Sequence, residues 1–314
     1  MAAGALAPRA ALAAAAFPAR TVRIVVPYSV GIGPDLVARA LADWLAQRWG
    51  QPVIVDNKPG ASGIVAFAEV RNTAPDGHTL FVGDTGTLAV NPLIHASLPY
   101  DPVRDLAPIS LLFRATFLIL VSAKSRYATL GEMLTDARRE PGRVSYASLG
   151  NGHPTQMAVE TMARAANASM LHVPFKEAGA LFTAVALGDV DFTVFGFNSA
   201  SGYLKGGKMK ALAVAAPARL AEAPEVPTIV EAGGPPVEMR PWAALVGVAG
   251  TPSAVLMAIQ RDVVQALAAP AVRGRIEAAG FEVTPSTPQQ LTARIEGDVK
   301  LYTTLVREGR VRSD

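Results

Sequence analysis

The chain has 314 residues, half of them apolar and 18% charged, with a formal net charge of +3 at pH 7 and no cysteine. That apolar share excludes a disordered chain, and a single core rarely grows past about 250–300 residues, so two lobes are expected. Lysines and arginines never form a run, which argues against nucleic-acid partners; the missing cysteines exclude disulfides, thiolate metal sites and a cysteine nucleophile.

Residues 1–16 read MAAGALAPRAALAAAA. Arg9 ahead of an alanine-rich stretch, with small residues running into Phe17, is a short form of a secretory leader cut near Ala16. A tag or a mis-called start is the alternative. No later apolar run approaches the roughly 20 residues needed to span a bilayer, so a soluble mature chain is expected.

Strand and helix patterns then alternate. Residues 22–27 (VRIVVP) are short and β-branched, as in a buried strand. Residues 34–49 place Leu36, Val37, Ala40, Leu41, Trp44 and Leu45 at helical spacing. A strand at 52–56, a helix at 64–72 ending before Pro75-Asp76-Gly77, and a strand at 79–83 follow. A second unit begins with the strand 117–121. It continues through helix 130–139, strand 144–148, helix 155–166, strand 171–173, a helix near 180–187, and strands 192–195 and 211–215. The last third holds a strand at 243–248 and helices at 254–268, 271–278 and 288–307, the first of them capped by Ser253.

This alternation predicts an α/β chain with two doubly wound, parallel or mixed sheets. One lobe is interrupted by the other: residues 17–116 and 243–314 form the first, residues 117–242 the second. Two crossings make a hinge, and ligands are held at such hinges.

In open α/β sheets, ligands sit at the carboxyl ends of strands against helix starts. Three such joints are rich in glycine and small polar residues: 28–35 (YSVGIGPD), 83–87 (GDTGT) and 148–155 (SLGNGHPT). Pro34 and Pro154 suit the first helical position. Free backbone amides and helix dipoles at these joints would hold an anion without an arginine. The ligand-contact candidates are Tyr28, Ser29, Gly31, Gly33, Asp35, Thr85, Gly86, Thr87, Ser148, Asn151, Gly152, His153, Thr155 and Phe197. Four or five such contacts, at about 1.5–3 kcal/mol each, are of the order needed for micromolar binding, roughly −8 kcal/mol. The bland alternative is that the glycines only make tight turns. His153 has three readings: helix cap, ligand contact or solvated ring. Asp35 also reads as a first-turn acid complementing the helix dipole.

Rival motifs are missing. Residues 31–36 lack the third glycine of a dinucleotide fingerprint, and there is no phosphate loop, no G-x-S-x-G and no H-E-x-x-H. An enzyme would have to use His153 and Asp35 as acid–base groups, with no nucleophile or metal cluster beside them. Asp189 and Asp191 read as a turn and a strand edge, and Lys176-Glu177 as a surface pair, with contact to the cleft as the alternative. No cofactor or metal is expected.

These segments resemble, over essentially the whole mature chain, the receptors of tripartite tricarboxylate transporters (TctC or Bug-type). The resemblance rests on many weak motifs in one order: residues 17–27 (FPARTVRIVVP), 53–61 (VIVDNKPGA), 98–102 (LPYDP), 150–152 (GNG), 172–176 (HVPFK), 188–191 (GDVD) and 206–213 (GGKMKALA) among them. It implies a type II periplasmic-binding-protein fold whose ligand is a small carboxylate gripped by the first glycine loop and the Gly-Asn-Gly loop. It also implies delivery to a membrane partner of one large and one small subunit, in the periplasm, by a monomer. A sensory receptor signalling to a membrane kinase would have the same pocket. The chain departs from the family pattern at Ser29, Val30, Ile32 and Pro34, at Ile64 and Gln156, and at Phe195-Gly196, where an Asp-Asn pair is frequent. Loss of that acid should disfavour a ligand carrying an ammonium group. Phe195 and Phe197 read first as core side chains on a strand; either one facing the cleft would favour a flatter or more apolar acid.

Overall fold

The computed structural model describes residues 17–311 except Ile32 and Glu238. The leader expected at 1–16 and the Ile32 position of the first loop therefore lie outside the described residues.

The chain runs β1 (Val22–Val26), α1 (Gly33–Trp49), β2 (Val53–Asn57), α2 (Ile64–Arg71), β3 (Thr79–Asp84), a π-helical turn (Gly86–Val90), α3 (Asn91–Ile94), α4 (Pro102–Asp105), β4 (Leu106–Ala115) and β5 (Phe117–Ser122). It continues as α5 (Leu130–Arg139), β6 (Ser145–Ser148), α6 (Pro154–Ala165), β7 (Leu171–Pro174), α7 (Ala178–Leu187), β8 (Phe192–Gly196), α8 (Phe197–Lys205) and β9 (Met209–Val214). Then come β10 (Trp242–Val248), α9 (Ser253–Ala268), α10 (Pro270–Ala278), β11 (Phe281–Val283) and α11 (Pro288–Arg307).

These elements form two mixed sheets. One has six strands in the order β11-β4-β10-β3-β1-β2; the other has five, in the order β7-β6-β8-β5-β9. In the first, β1 runs parallel to β2 and β3, while β10 is antiparallel to β3 and β4. In the second, β6 is parallel to β7 and β8, and β5 is antiparallel to β8 and β9. Both faces of each sheet are covered. In β5, Ile119 and Val121 pack into one apolar cluster and Leu118 and Leu120 into another, the period-2 alternation of a strand between two helical layers.

The chain leaves the first sheet through Thr116 alone, between β4 and β5, and returns to it at Trp242. The two passages touch: the Ala115 amide donates to the Pro241 carbonyl at 2.8 Å. This places the carboxyl ends of β1 and β3 opposite the α6 start across one cleft.

Several local expectations change. Ser253 is the first residue of α9, not its cap; Pro252 occupies the cap position and no side chain bonds there. Leu36 is exposed while Val37, Ala38, Leu41 and Leu45 carry the buried stripe of α1. β4, α8 and β11 were not anticipated. β4 contains Pro108 and two register shifts against β10, and Pro tolerates a strand only at such irregularities. Among the described residues, no single helix is long and apolar enough to cross a membrane.

Candidate functional site

The first joint is held from beneath. Asp35 is fully buried, and its carboxylate accepts from the Gly31 amide at 2.8 Å, from Arg39 Nε at 3.0 Å and from Asn57 Nδ2 at 2.9 Å. Burial alone would raise its pKa; the bonds from Arg39, Gly31 and Asn57 outweigh that and hold it below the ordinary value. Asn57 also donates to the Tyr28 carbonyl at 3.0 Å, so Asp35 fastens the loop to β2. Neither Asp35 nor Gly31 lines the cleft, whereas Tyr28, Ser29 and Gly33 do.

At the second joint, Asp84 ends β3 on the cleft floor. Its carboxylate accepts from the Thr87 amide at 2.8 Å, from the Thr87 hydroxyl at 2.9 Å and from the Tyr28 hydroxyl. Burial and the neighbouring Asp84 carboxylate push the Tyr28 pKa well above its usual value, so this phenol stays a donor. Gly86 and Thr87 line a side pocket of about 90 Å³ that opens on the same floor. Thr85 faces away, into a smaller cavity beside Arg294 and Tyr302, and its hydroxyl accepts from the Trp242 amide at 3.3 Å.

At the third joint, His153 is the cap of α6, its Nδ1 accepting from the Thr155 amide at 3.2 Å. An Nδ1 that accepts leaves the ring proton on Nε2, a donor. Burial pushes the imidazole pKa down to about 4, against the pull of Asp84, so the ring is neutral at neutral pH. Gly152 adopts φ +72°, and a Cβ there would lie 2.4 Å from Ile94 Cδ1; the close approach of the two lobes requires glycine here. Ser148 is buried under the loop, with its hydroxyl 2.6 Å from His172 Nε2. Asn151 is exposed at the turn, and Phe197 packs into the apolar cluster below α7 and α8. None of these three lines the cleft.

The expectation of free loop amides is corrected in part. Side chains of the loops themselves occupy many of them: Gly31 by Asp35, Thr87 by Asp84, Leu149 by Thr155, Gly150 by Ser148 and Gly152 by Gln156. Small polar residues at a turn bond their own backbone first. What faces the cleft are the starts of α1 and α6, at Gly33-Pro34 and Pro154-Thr155, each the positive end of a helix dipole.

The cleft has a volume of about 360 Å³, within the usual range for a small-molecule site. Both sheets contribute, with Phe113, Trp242 and Phe281 from the first and Phe117 and Phe195 from the second. Lys176 and Glu177, read from sequence as surface charge, also line it, as do Asn198 and Ser199. Sequence reasoning singles out the joint holding Asp84 but not Asp84 itself, and misses Asn198, Ser199, Phe113 and Phe281. Asp84 had one usable signal, its place at the carboxyl end of a strand; the others belong to elements that were not anticipated or not linked to the cleft. A roomier groove, about 640 Å³, lies at the far end of β5 between Lys124, Leu187 and Tyr203. It is built within one lobe, away from the crossings. Among the described residues, no group of three or more His, Cys, Asp or Glu side chains is arranged to hold a metal ion.

Residues 37–310 match the model of the tripartite tricarboxylate transporter family receptor, TctC. The chain belongs to this family. A UPF0065 protein from the tcbD-tcbE intergenic region of Pseudomonas sp. (strain P51) is 31% identical over 300 residues, covering 95% of this chain and 89% of that one. A Rhodopseudomonas palustris protein solved with adipate superposes with a TM-score of 0.83 at 25% identity, covering 95% of this chain and all of its own. MatC from the same organism, solved with malate, gives 0.79 at 31% identity, covering 92% of this chain and all of its own. The chain thus has the two-lobed fold of the family receptors, which are solute-binding proteins and not enzymes.

Proposed function

We propose that this receptor captures a small organic acid between its two lobes and delivers it to a tripartite membrane transporter with one large and one small membrane subunit. The observation that carries this reading is the convergence of the α1 and α6 starts on one cleft, beside a neutral His153 whose Nε2–H is a donor. Both helix ends favour negative charge there, and no cationic clamp is needed. Relatives with adipate and malate bound support the ligand class. The contacts we assign to the ligand are Tyr28, Ser29, Gly33, Gly86, His153 and Thr155; Thr87 and Gly152, whose amides are taken by Asp84 and Gln156, border the side pocket. Asp35, Gly31, Thr85, Ser148, Asn151 and Phe197 support them from behind or lie outside the cleft.

We assign the lobes to residues 17–116 with 243–314, and to residues 117–242, with Trp242 at the boundary already paired into the first sheet. The receptor acts as a monomer in the periplasm after loss of its leader. A thermal-shift and calorimetric screen of mono-, di- and tricarboxylates tests the reading. An acid present at about 100 times its Kd should stabilise the protein by about 2.7 kcal/mol. No shift with any acid at millimolar concentration would refute it.

A further inference from the structure

Resting on the proposed carboxylate-receptor function, we propose that the acid this cleft accepts is an arylcarboxylate: one carboxylate on a flat apolar body, not a compact di- or tricarboxylate. The walls and the charge of the cleft point the same way.

The walls are aromatic on both lobes. Phe113 and Phe281 form a pair with centroids 4.4 Å apart on the first sheet, and Phe117 and Phe195 lie 6.5 Å apart on the second. Phe113 and Phe117 are 4% and 6% exposed, whereas Phe195 and Phe281 remain only half-buried and border the open cleft. Their exposed faces are apolar surface that an apolar ligand body would remove from water, and rings prefer offset or edge contacts with another ring. Gly33 sharpens the arrangement: a Cβ there would stand 2.3 Å from the Phe281 ring, so that ring is pressed against the α1 start where the carboxylate is to be held. An apolar wall next to an anion-favouring helix end is complementary to a molecule with its charge at one end.

The charge balance favours an acid with one carboxylate over one with several, since Lys176 is the one cationic side chain among the described residues of the lining. The charged side chains lining the cleft are Asp84, Glu177 and Lys176, with no arginine, and His153 is neutral. The lining therefore carries one more negative than positive group before any ligand enters. Asp84 already accepts three hydrogen bonds, from Tyr28 and Thr87, and faces no cation in the ion pairs of the described residues. A like charge within a few ångströms disfavours a further anion there.

Calorimetry on the full chain with benzoate, phenylacetate, malate, adipate and citrate decides the point. Benzoate or phenylacetate should bind at least about tenfold tighter than any of the polycarboxylates, a difference of about 1.4 kcal/mol. Phe281→Leu and Phe195→Leu should each weaken the aryl acids by about fivefold or more while leaving any weak malate binding within about twofold. Leucine keeps the apolar packing, so melting temperatures close to that of the parent separate lost recognition from lost folding. If malate, adipate or citrate binds as tightly as the aryl acids, or if the two variants weaken all acids alike, the arylcarboxylate assignment is wrong while the carboxylate-receptor reading stands. If no acid binds, both are wrong.

Discussion

His153 shows how one side chain serves two ends. Its Nδ1 caps α6 and its remaining N–H is left for the cleft. With a folded pKa of about 4 and an unfolded value near 6.5, the unfolded chain binds the extra proton between those two pH values. The stabilisation from keeping the ring neutral is thus complete above about pH 6.5 and is lost as pH falls toward 4, at up to about 1.4 kcal/mol per pH unit. Melting temperatures at about pH 7.5 and pH 5 should fall less steeply in His153→Gln than in the parent; an equal fall would show that the ring does not contribute. Affinity for a carboxylate, in contrast, should change little with this residue's titration between about pH 5.5 and 8, because the donor is the neutral ring.

At the scale of elements, Asp35 links three of them. It joins the first-loop amide of Gly31, the α1 residue Arg39 and, through Asn57, the end of β2. Asp35→Ala leaves buried donors without a partner and should cost about 2–4 kcal/mol. Chemical denaturation would measure it, with a drop below about 0.5 kcal/mol overturning this role. Ligand affinity should fall as well, because Tyr28 and Ser29 lose their support. The strong elements were legible in the sequence: β1, β3 and β5 as β-branched runs, α1 and α11 by their spacing and ends. β4 was not, because Pro108 masks a strand whose irregular register is decided by β10. Nor was α8, whose sequence FNSASGYLK has weak helix propensity and is held by packing against α7 and the second sheet. The three loops fall at strand-to-helix joints as their composition indicates, and Gly33 and Gly152 make room for Phe281 and Ile94.

Across the whole molecule, contacts from both lobes meet on either side of the cleft. On one side, Asn198 Nδ2 of α8 donates to the Ala278 carbonyl at the end of α10, at 2.8 Å. On the other, Gly152 rests on Ile94, and α11 reaches from the first sheet to α6, with ion pairs of Arg164 to Glu308 and Arg310 to Glu160 at 2.9 and 3.5 Å. Asn198 also lines the cleft, so its bond to Ala278 ties the two lobes beside the ligand space. Asn198→Ala removes a net stabilisation of about 0.5–1.5 kcal/mol from the closed arrangement, and the apparent affinity falls with the closed fraction. A two- to tenfold faster ligand release, measured by stopped flow, is expected at about that cost; an unchanged release rate would show that the bond does not hold the lobes.

The sequence by itself determined the class of fold, the alternation of strands and helices and the position of the three loops, because these depend on local periodicity and turn chemistry. The tertiary structure alone decided which loop amides stay open, that Asp84 and four phenylalanines from separate elements share one cleft, and that Asp35 works beneath it. Those relations join residues more than a hundred positions apart, such as Phe113 and Phe281, and only the packing of two sheets about a double crossing brings them into contact.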